Sequence, residues 1–161
     1  MSHEDVLDRF VAVAHETVWC TLATVDRRNR PRSRVVHPLW ARDGDGLVGW
    51  VGSRPTPLRL AHIEHSPYVS CSYWHPRHDI AVAECAAAWV PDLAQRRAAW
   101  ERFLAAPAPV GYDPITAWPG GPDADDFAVL RLDAWRVRVA TGEEMAAGTK
   151  PHVWSGTASV P

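Results

Sequence analysis

The spacing of apolar residues along the chain changes period several times, and each period predicts a different element. Near the N-terminus, Val6, Phe10 and Val13 recur at helical spacing, so residues 2–15 predict an amphipathic helix with Ser2 at its cap. Further along, apolar and polar residues alternate, which is the period of a β-strand. The pattern therefore predicts that the protein contains both helices and strands, with strands in the majority.

Six segments have the alternation or the β-branched composition of strands. Turn-forming residues separate most of them, so successive strands are expected to pair as antiparallel hairpins. We predict strands over residues 18–25, 31–40, 47–53, 68–74, 79–90 and 127–141.

Two further short helices are predicted between these strands. The first has Thr56 at its N-cap and Pro57 at its first helical position, and it ends before the Ser66–Pro67 pair. The second is capped by Asp92. Residues 105–126 after it are rich in Pro, Gly and Ala, and a loop of that length in a compact domain is usually functional or mobile.

Short antiparallel strands in this number can close into a small barrel, which removes exposed sheet edges. The predicted fold class is mainly β (α+β): a six-stranded antiparallel split barrel with an N-terminal helix and two further short helices. We predict one domain over residues 1–161, with a core of about 5–141 and a C-terminal tail of 142–161. Side chains fill a barrel this small, so a ligand is expected outside it, in a groove or against a second subunit.

Composition excludes several classes of function. The chain has 161 residues, 47% of them hydrophobic, and a net charge of −2, whereas a nucleic-acid-binding domain is usually strongly basic. No apolar run approaches the ~20 residues of a membrane helix, and the first residues lack a signal-peptide pattern, so we expect a cytoplasmic protein with no membrane or nucleic-acid partner. The odd number of cysteines (Cys20, Cys71 and Cys85) favours reduced, buried thiols.

The start of the helix after Thr56 carries charges of unexpected sign. A helix N-terminus favours nearby anions, yet Arg54 precedes the cap and Arg59 occupies the position of a capping-box Glu or Gln. Two cations beside free backbone N–H groups are suited to an anion, usually a phosphate. The alternative is two solvated arginines on a surface turn.

The order of elements and four segments together resemble a known family. The segments are 21–25 (TLATV), 31–36 (PRSRVV), 49–59 (GWVGSRPTPLR) and 62–70 (HIEHSPYVS). In this order they are similar to the pyridoxamine 5′-phosphate oxidase-like, FMN-binding split-barrel proteins. The resemblance covers most of residues 5–141.

That resemblance implies a homodimer with FMN bound at the interface between the subunits. It also implies an oxidoreductase that acts on a small organic substrate. The flavin would carry the redox chemistry, and the resemblance assigns no catalytic side chain. The cofactor-binding residues that it implies are Arg34, Ser53, Arg54, Thr56 and Arg59 for the phosphate, and the backbone around Val35, Val36 and Val51 for the ring.

The chain departs from the pattern of true pyridoxamine phosphate oxidases at three points. Arg59 replaces the usual lysine, which keeps the charge but presents a planar fork. Asp79-Ile80 stands where those enzymes have a glutamine that approaches the ring, and the tail at 150–154 lacks their Arg-Leu-His segment. We therefore expect a different substrate.

Alternatives remain open at the level of the sequence. A deazaflavin coenzyme has a longer acidic tail, which the arginines of the first hairpin could bind, although they are also typical of a solvated turn; these are Arg27, Arg28, Arg30 and Arg32. A non-catalytic flavin- or haem-binding stress protein would have the same fold.

A metal enzyme would require ligands from the pairs His62/His65 or His75/His78, which lack Cys or carboxylate partners at metal spacing, so no metal site is predicted. His37 is either a proton donor near the cofactor or a hydrogen-bonded structural histidine. Trp74 and Trp154 could lie near the ring or in a dimer core.

Overall fold

The computed structural model describes residues 2–156, so both ends of the predicted domain, residue 1 and residues 157–161 of the tail, lie outside the described residues. Within that range the chain forms four α-helices and eight strands. The helices are α1 (His3–Thr17), α2 (Pro57–His65), α3 (Leu93–Ala105) and α4 (Gly142–Ala146). The strands are β1 (Cys20–Val25), β2 (Pro31–Val36), β3 (Pro38–Asp43), β4 (Gly46–Ser53), β5 (Tyr68–Trp74), β6 (Ile80–Trp89), β7 (Ala128–Ala140) and β8 (His152–Ser155).

All strands pair antiparallel in one sheet, in the order β2-β1-β5-β6-β7-β4-β3, and β8 pairs with β7. The strands at the two ends of this order, β2 and β3, are consecutive in the chain and only His37 separates them. The sheet must therefore curl until its two edges meet at that residue. No strand pairing joins β2 to β3 within residues 2–156, so the sheet is curled but not closed.

The predicted α+β class with mainly antiparallel strands is confirmed, but the count of six strands is not. The predicted strand at 31–40 is two strands, because the chain leaves the pairing with β1 at Val36 and pairs with β4 from Pro38 onward. The tail, predicted without an element, contains α4 and β8. Burial of Trp154 in the main core against β7 accounts for that extra strand.

The helix starts follow the predicted caps. The Ser2 hydroxyl accepts from the Asp5 N–H while the Asp5 carboxylate accepts from the Ser2 N–H, which completes a capping box. Thr56 Oγ1 accepts from the Arg59 N–H at the start of α2, and Asp92 caps α3 through the N–H at position 95. The local sequence thus fixes where each of these helices begins.

Two apolar cores lie on opposite sides of β7 and β4. The larger contains Leu7 and Phe10 of α1 and the interior of the curled sheet, and it includes all three cysteines. The hydrogen bond with Cys71, together with burial, raises the pKa of the Cys20 thiol, so this thiol stays protonated at neutral pH. The smaller core contains Trp100 and Phe103 of α3, which pack against the 105–126 loop.

None of the described helices has the length and apolar character to cross a bilayer.

Candidate cofactor-binding site

A cleft of about 660 Å³ opens beside the start of α2. Its walls come from the junction of α1 with β1, the end of β2, the β4–α2 turn and the 105–126 loop. A volume of this size falls within the usual range for small-molecule and cofactor pockets. Six of the predicted site residues line it: Val35, Val36, Ser53, Arg54, Thr56 and Arg59.

A much smaller cavity of about 20 Å³ adjoins the cleft, since Val36, Ser53 and Arg59 line both. Arg34 and Val51 line this second cavity. The structure therefore brings all eight predicted cofactor-binding residues together around two adjoining cavities.

Arg59 lies at the third helical position of α2, where its side chain turns back toward β4. Its Nη1 donates to Ser53 Oγ at 2.6 Å and to the Arg54 carbonyl at 3.2 Å. Extended backbone at Thr56 and the ring of Pro57 fix the start of the helix and hence this position. The guanidinium, two hydroxyls and the helix N-terminus together present several donors to one place.

Arg34 reaches the same region from β2 and is half-buried. Burial lowers the pKa of its guanidinium, and the positive charges of Arg59 and Arg32 lower it further. Arg34 Nη2 lies 3.4 Å from His62 Nδ1. We define the cationic end of the cleft as Arg34, Ser53, Thr56 and Arg59.

His62, on α2, is 2% exposed and lies behind the cationic end. Thr24 Oγ1 lies 3.1 Å from its Nδ1. Because a guanidinium can only donate, Nδ1 acts as an acceptor toward Arg34 and the ring proton sits on Nε2. Nε2 is buried and has no hydrogen-bond partner among the described residues. Burial, and then the charge of Arg34, lower the pKa of His62, which keeps the ring neutral.

Arg54 differs from the other two arginines because its charge is already matched. Its Nη1 donates to Asp126 Oδ2 at 2.6 Å and its Nη2 to the Ala117 carbonyl at 2.5 Å. The guanidinium also lies 5.9 Å from the ring centre of Trp118. Arg54 therefore fastens the 105–126 loop to the β4–α2 turn, while no Asp or Glu lines either cavity beside Arg34 and Arg59.

Aromatic rings line another part of the cleft. The ring of His37 lies 5.1 Å from that of Trp19 and 4.7 Å from that of Tyr112, measured between centroids. The Tyr112 ring in turn packs at 5.1 Å against Phe103 in the smaller core. We define the aromatic wall as Trp19, His37 and Tyr112. Of these, sequence reasoning considered only His37, and the length of the 105–126 loop was the signal that could have drawn attention to Tyr112.

His37 is held by a hydrogen bond at the seam between β2 and β3. Its Nε2 lies 2.7 Å from the Val110 carbonyl, which can only accept, so Nε2 carries a proton and donates. Burial lowers the pKa of His37. The ring is thus a neutral, hydrogen-bonded part of the cleft wall.

Gly52 allows the loop to approach the sheet closely at this point. A Cβ at this position would lie 3.0 Å from Tyr112 Oη and 3.2 Å from the Trp118 ring. A larger residue at position 52 would therefore push the loop outward and change the shape of the cleft.

The remaining sequence candidates lie elsewhere. Trp154 is buried in the main core and Trp74 is exposed, and neither lines the cleft. His62 is buried whereas His65 is exposed. Within the described part of the chain, no group of three or more His, Cys, Asp or Glu side chains could hold a metal ion.

No protein-family model and no curated protein matches the sequence. Solved structures, in contrast, match over nearly the whole chain. A protein from Clostridium acetobutylicum related to general stress protein 26 of Bacillus subtilis, of the pyridoxinephosphate oxidase family, is 10% identical with a TM-score of 0.71, and the match covers 96% of each chain. A pyridoxamine 5′-phosphate oxidase-related, FMN-binding protein from Nostoc punctiforme is 13% identical with a TM-score of 0.60, over 96% of this chain and 94% of that one.

The chain has the fold of the pyridoxamine 5′-phosphate oxidase-like proteins. The resemblance read from the sequence is thereby confirmed at the level of the fold. A haem-binding protein from Mycobacterium smegmatis shares the pyridoxamine 5′-phosphate oxidase-like fold as well, with 19% identity and a TM-score of 0.64 over 93% of this chain and 57% of that one. Proteins with this fold thus differ in the cofactor they bind, which is FMN in one and haem in another.

Proposed function

We propose that this protein binds FMN in the cleft and is a flavin-dependent oxidoreductase that acts on a small organic substrate. The phosphate would contact the cationic end, and the ring would extend along the backbone of Val35, Val36 and Val51. When bound, the flavin supplies hydride or electron transfer.

The observation that carries this proposal is the pair of half-buried cations, Arg34 and Arg59. Burying a charge without a partner is costly, and these two lie close enough for each other's field to lower the pKa of Arg34. No carboxylate lines the cavities beside them. A dianionic phosphate would supply the missing charge, and the hydroxyls of Ser53 and Thr56 and the first N–H groups of α2 would complete its hydrogen bonds. The donor set therefore fits a phosphate monoester.

The protein's own residues would act mainly by orientation. Arg59, braced by Ser53 Oγ, and Arg34, braced by His62, would hold the phosphate in one place. A fixed phosphate fixes the ring relative to the walls of the cleft, and such positioning can supply a large part of a rate enhancement. His37 is unavailable as an acid through Nε2, because that atom already donates to the Val110 carbonyl.

A homodimer is part of this proposal. Val35 is 67% exposed at the end of edge strand β2, and Trp19, at the same cleft, is 59% exposed. A second subunit laid along β2 would close the open side of the cleft beside these side chains and exclude water from the ring. The cofactor would then be bound between two subunits.

The test is a titration of the purified protein with FMN, a deazaflavin coenzyme and haem, each followed by visible absorbance. We expect saturable changes in the flavin bands. The double variant Arg34→Ala/Arg59→Ala should weaken FMN binding by at least ~100-fold, because each charge-assisted bond contributes about 1.5–3 kcal/mol. Arg77→Ala, which removes an exposed arginine paired with Glu16, is the matched control and should bind FMN normally. Equal affinity in the double variant and the control would exclude the phosphate assignment.

Turnover is tested separately, by mixing the FMN-loaded protein with NADH or NADPH without oxygen. Bleaching of the flavin bands would support an oxidoreductase. Binding without reduction by either donor would favour a non-catalytic carrier instead.

One observation favours a deazaflavin coenzyme as the second candidate. A cavity of about 310 Å³ beside Leu58 and His62, at the other side of α2, is lined by the four arginines of the β1–β2 hairpin. Two of these four pair with Asp26, Arg30 at 2.8 Å and Arg32 at 3.6 Å. The other two could bind the acidic tail of such a coenzyme. Tighter binding of the deazaflavin than of FMN would make this the better assignment.

A further inference from the structure

The aromatic wall of the cleft is not used by the proposed phosphate site. Trp19 is a large apolar side chain with most of its surface exposed, and it shares the cleft with the equally exposed Val35. Exposed apolar groups gathered in one concave place usually mark a binding site, whereas scattered ones do not. The wall therefore points to a ligand or a part of one.

The backbone before Trp19 is strained in a way that presents this side chain. Val18 has φ 69° and ψ −62°, and the Trp19 N–H donates to the Thr17 carbonyl at 2.8 Å, which makes a tight γ-turn. Positive φ is unusual for a β-branched residue, and such strain persists at sites where the geometry is used. Val18 and Trp19 both line the cleft, so the turn that follows α1 places the Trp19 indole in the cleft.

The wall is rigid as well as exposed. His37 is fixed by its hydrogen bond to the Val110 carbonyl, and Tyr112 stacks on Phe103 of the smaller core. The three rings pack against one another in series, at 5.1 and 4.7 Å between centroids, so the exposed indole of Trp19 rests on a fixed support.

The wall also carries no net charge. The bond to Val110 and the lowered pKa keep His37 neutral, and burial raises the pKa of Tyr112 to about 12. The positive charges beside the cleft belong to Arg34 and Arg59 of the cationic end and to Arg54, which is paired with Asp126, and none of them is part of the wall. A ligand portion at the wall would therefore gain from flat apolar area and not from ionic pairing.

We propose that the aromatic wall of Trp19, His37 and Tyr112 binds the organic substrate, and that this substrate presents a flat, uncharged ring system. The inference rests on the proposed function, in which the phosphate of the cofactor takes the cationic end. It assigns Trp19 and Tyr112 as residues that determine substrate specificity.

The experiment uses 2-naphthol, a planar and uncharged two-ring probe, and cyclohexanol as a non-planar control. Each is titrated by calorimetry into the FMN-loaded protein and into the protein without FMN. We expect saturable binding of 2-naphthol and none of cyclohexanol. The variant Trp19→Ala should weaken 2-naphthol binding by about tenfold while changing FMN affinity less than ~2-fold, since loss of one stacking partner and its buried area is of that order.

Two further variants serve as controls for the role of Trp19. Trp19→Phe retains a flat ring and should restore most of the 2-naphthol affinity. Trp74→Ala removes an equally exposed indole outside the cleft and should bind both molecules like the wild type.

The outcomes are distinguishable. Unchanged 2-naphthol binding in Trp19→Ala, or none in the wild type, would overturn the inference. Parallel loss of FMN and 2-naphthol in Trp19→Ala would assign the wall to the flavin ring and would overturn it too. If the wild type failed to bind FMN but bound 2-naphthol through Trp19, the proposed cofactor would be wrong while the aromatic subsite stood.

Discussion

At the scale of single residues, His62 shows how an apparently ordinary side chain supports the candidate site. It sits on α2 with its Nδ1 toward Arg34 and Thr24, and its neutral form suits a neighbour that can only donate. A protonated ring would repel Arg34 instead. The residue therefore positions the arginine through this hydrogen bond.

We predict that His62→Ala weakens FMN binding about fivefold, because it removes a hydrogen bond to a charged group whose contact is long, at 3.4 Å. Fluorescence quenching of the flavin during titration measures this. His65→Ala changes the exposed histidine three residues further along α2 and should have no effect. If the two variants behaved alike, His62 would have no positioning role.

The same residue predicts a pH dependence of stability. Its pKa in the folded protein is lowered by burial, so folding disfavours the protonated ring. A lowered histidine pKa gives stability that is complete above the unfolded value of about 6.5 and is lost as the pH falls below it. We expect the urea concentration at the midpoint of unfolding to fall as the pH is lowered below about 6.5, and to fall less in His62→Gln. Parallel pH profiles for the two proteins would count against this assignment.

Residue patterns assigned both Arg54 and Arg59 to the candidate site but could not show which of the two charges is already paired. Arg54 and Arg59 look equivalent in sequence, two cations at one helix start. The structure separates them, because Asp126 is 72 residues from Arg54 in the chain and yet pairs with it. Only the tertiary fold brings those groups together, so the sequence contains no local signal of the pairing.

At the scale of elements, the C-terminal segment is tied to α1 by one carboxylate. Glu144, in the first turn of α4, accepts from Arg9 at 2.8 Å, caps the Thr141 N–H, and contacts His152 of β8 at 3.0 Å. Three elements therefore meet at a single side chain. The hydrogen bond from Arg9 is the main reason that the pKa of Glu144 is lowered to about 2.

We predict that Glu144→Gln lowers the free energy of unfolding at pH 7 by about 1–2 kcal/mol, a value reduced for solvent screening of a partly exposed pair. A lowered carboxyl pKa gives stability that is present above the unfolded value of about 4.5 and lost as the pH falls toward 2. Urea unfolding at pH 7 and pH 3 measures both effects. Glu143→Gln, at the exposed neighbouring position, is the control and should unfold like the wild type.

Element prediction succeeded where capping and alternation are local, as at Ser2, Thr56 and Asp92. It failed at His37, because no turn sequence interrupts positions 31–40 although the partner strand changes from β1 to β4. It also failed in the tail, where a four-residue strand depends on the burial of Trp154. Both failures concern which strand is the partner, and that is decided by the whole sheet.

At the scale of the whole molecule, the curled sheet leaves the cleft open on one side. The exposed side chains of Trp19 and Val35 lie there, and a second subunit would complete the enclosure. The affinity for the cofactor should then depend on protein concentration. A single subunit would have the same arginines but would leave the cofactor ring more exposed to water.

We predict that dilution to the point of subunit dissociation releases FMN, because the ring loses its cover and the phosphate contacts alone are screened by water and salt. Analytical ultracentrifugation with detection at the flavin absorbance band measures mass and bound cofactor together. Retention of all FMN by the monomer would contradict a shared site. The surface variant Arg77→Ala should dissociate at the same concentration as the wild type.

His37 also sets a limit on how the molecule can vary. His37 alone connects the two edge strands, β2 and β3, so the connection has a fixed length. An insertion there would let the two edges of the sheet move apart and would widen the cleft. The 105–126 segment is held at separate points, the Val110 carbonyl by His37 and the Ala117 carbonyl by Arg54, so an insertion between those points would alter the wall of the cleft without parting the edges of the sheet. Changes in ligand preference among proteins with this fold are therefore expected to accumulate in that segment, while the β2–β3 connection keeps its length.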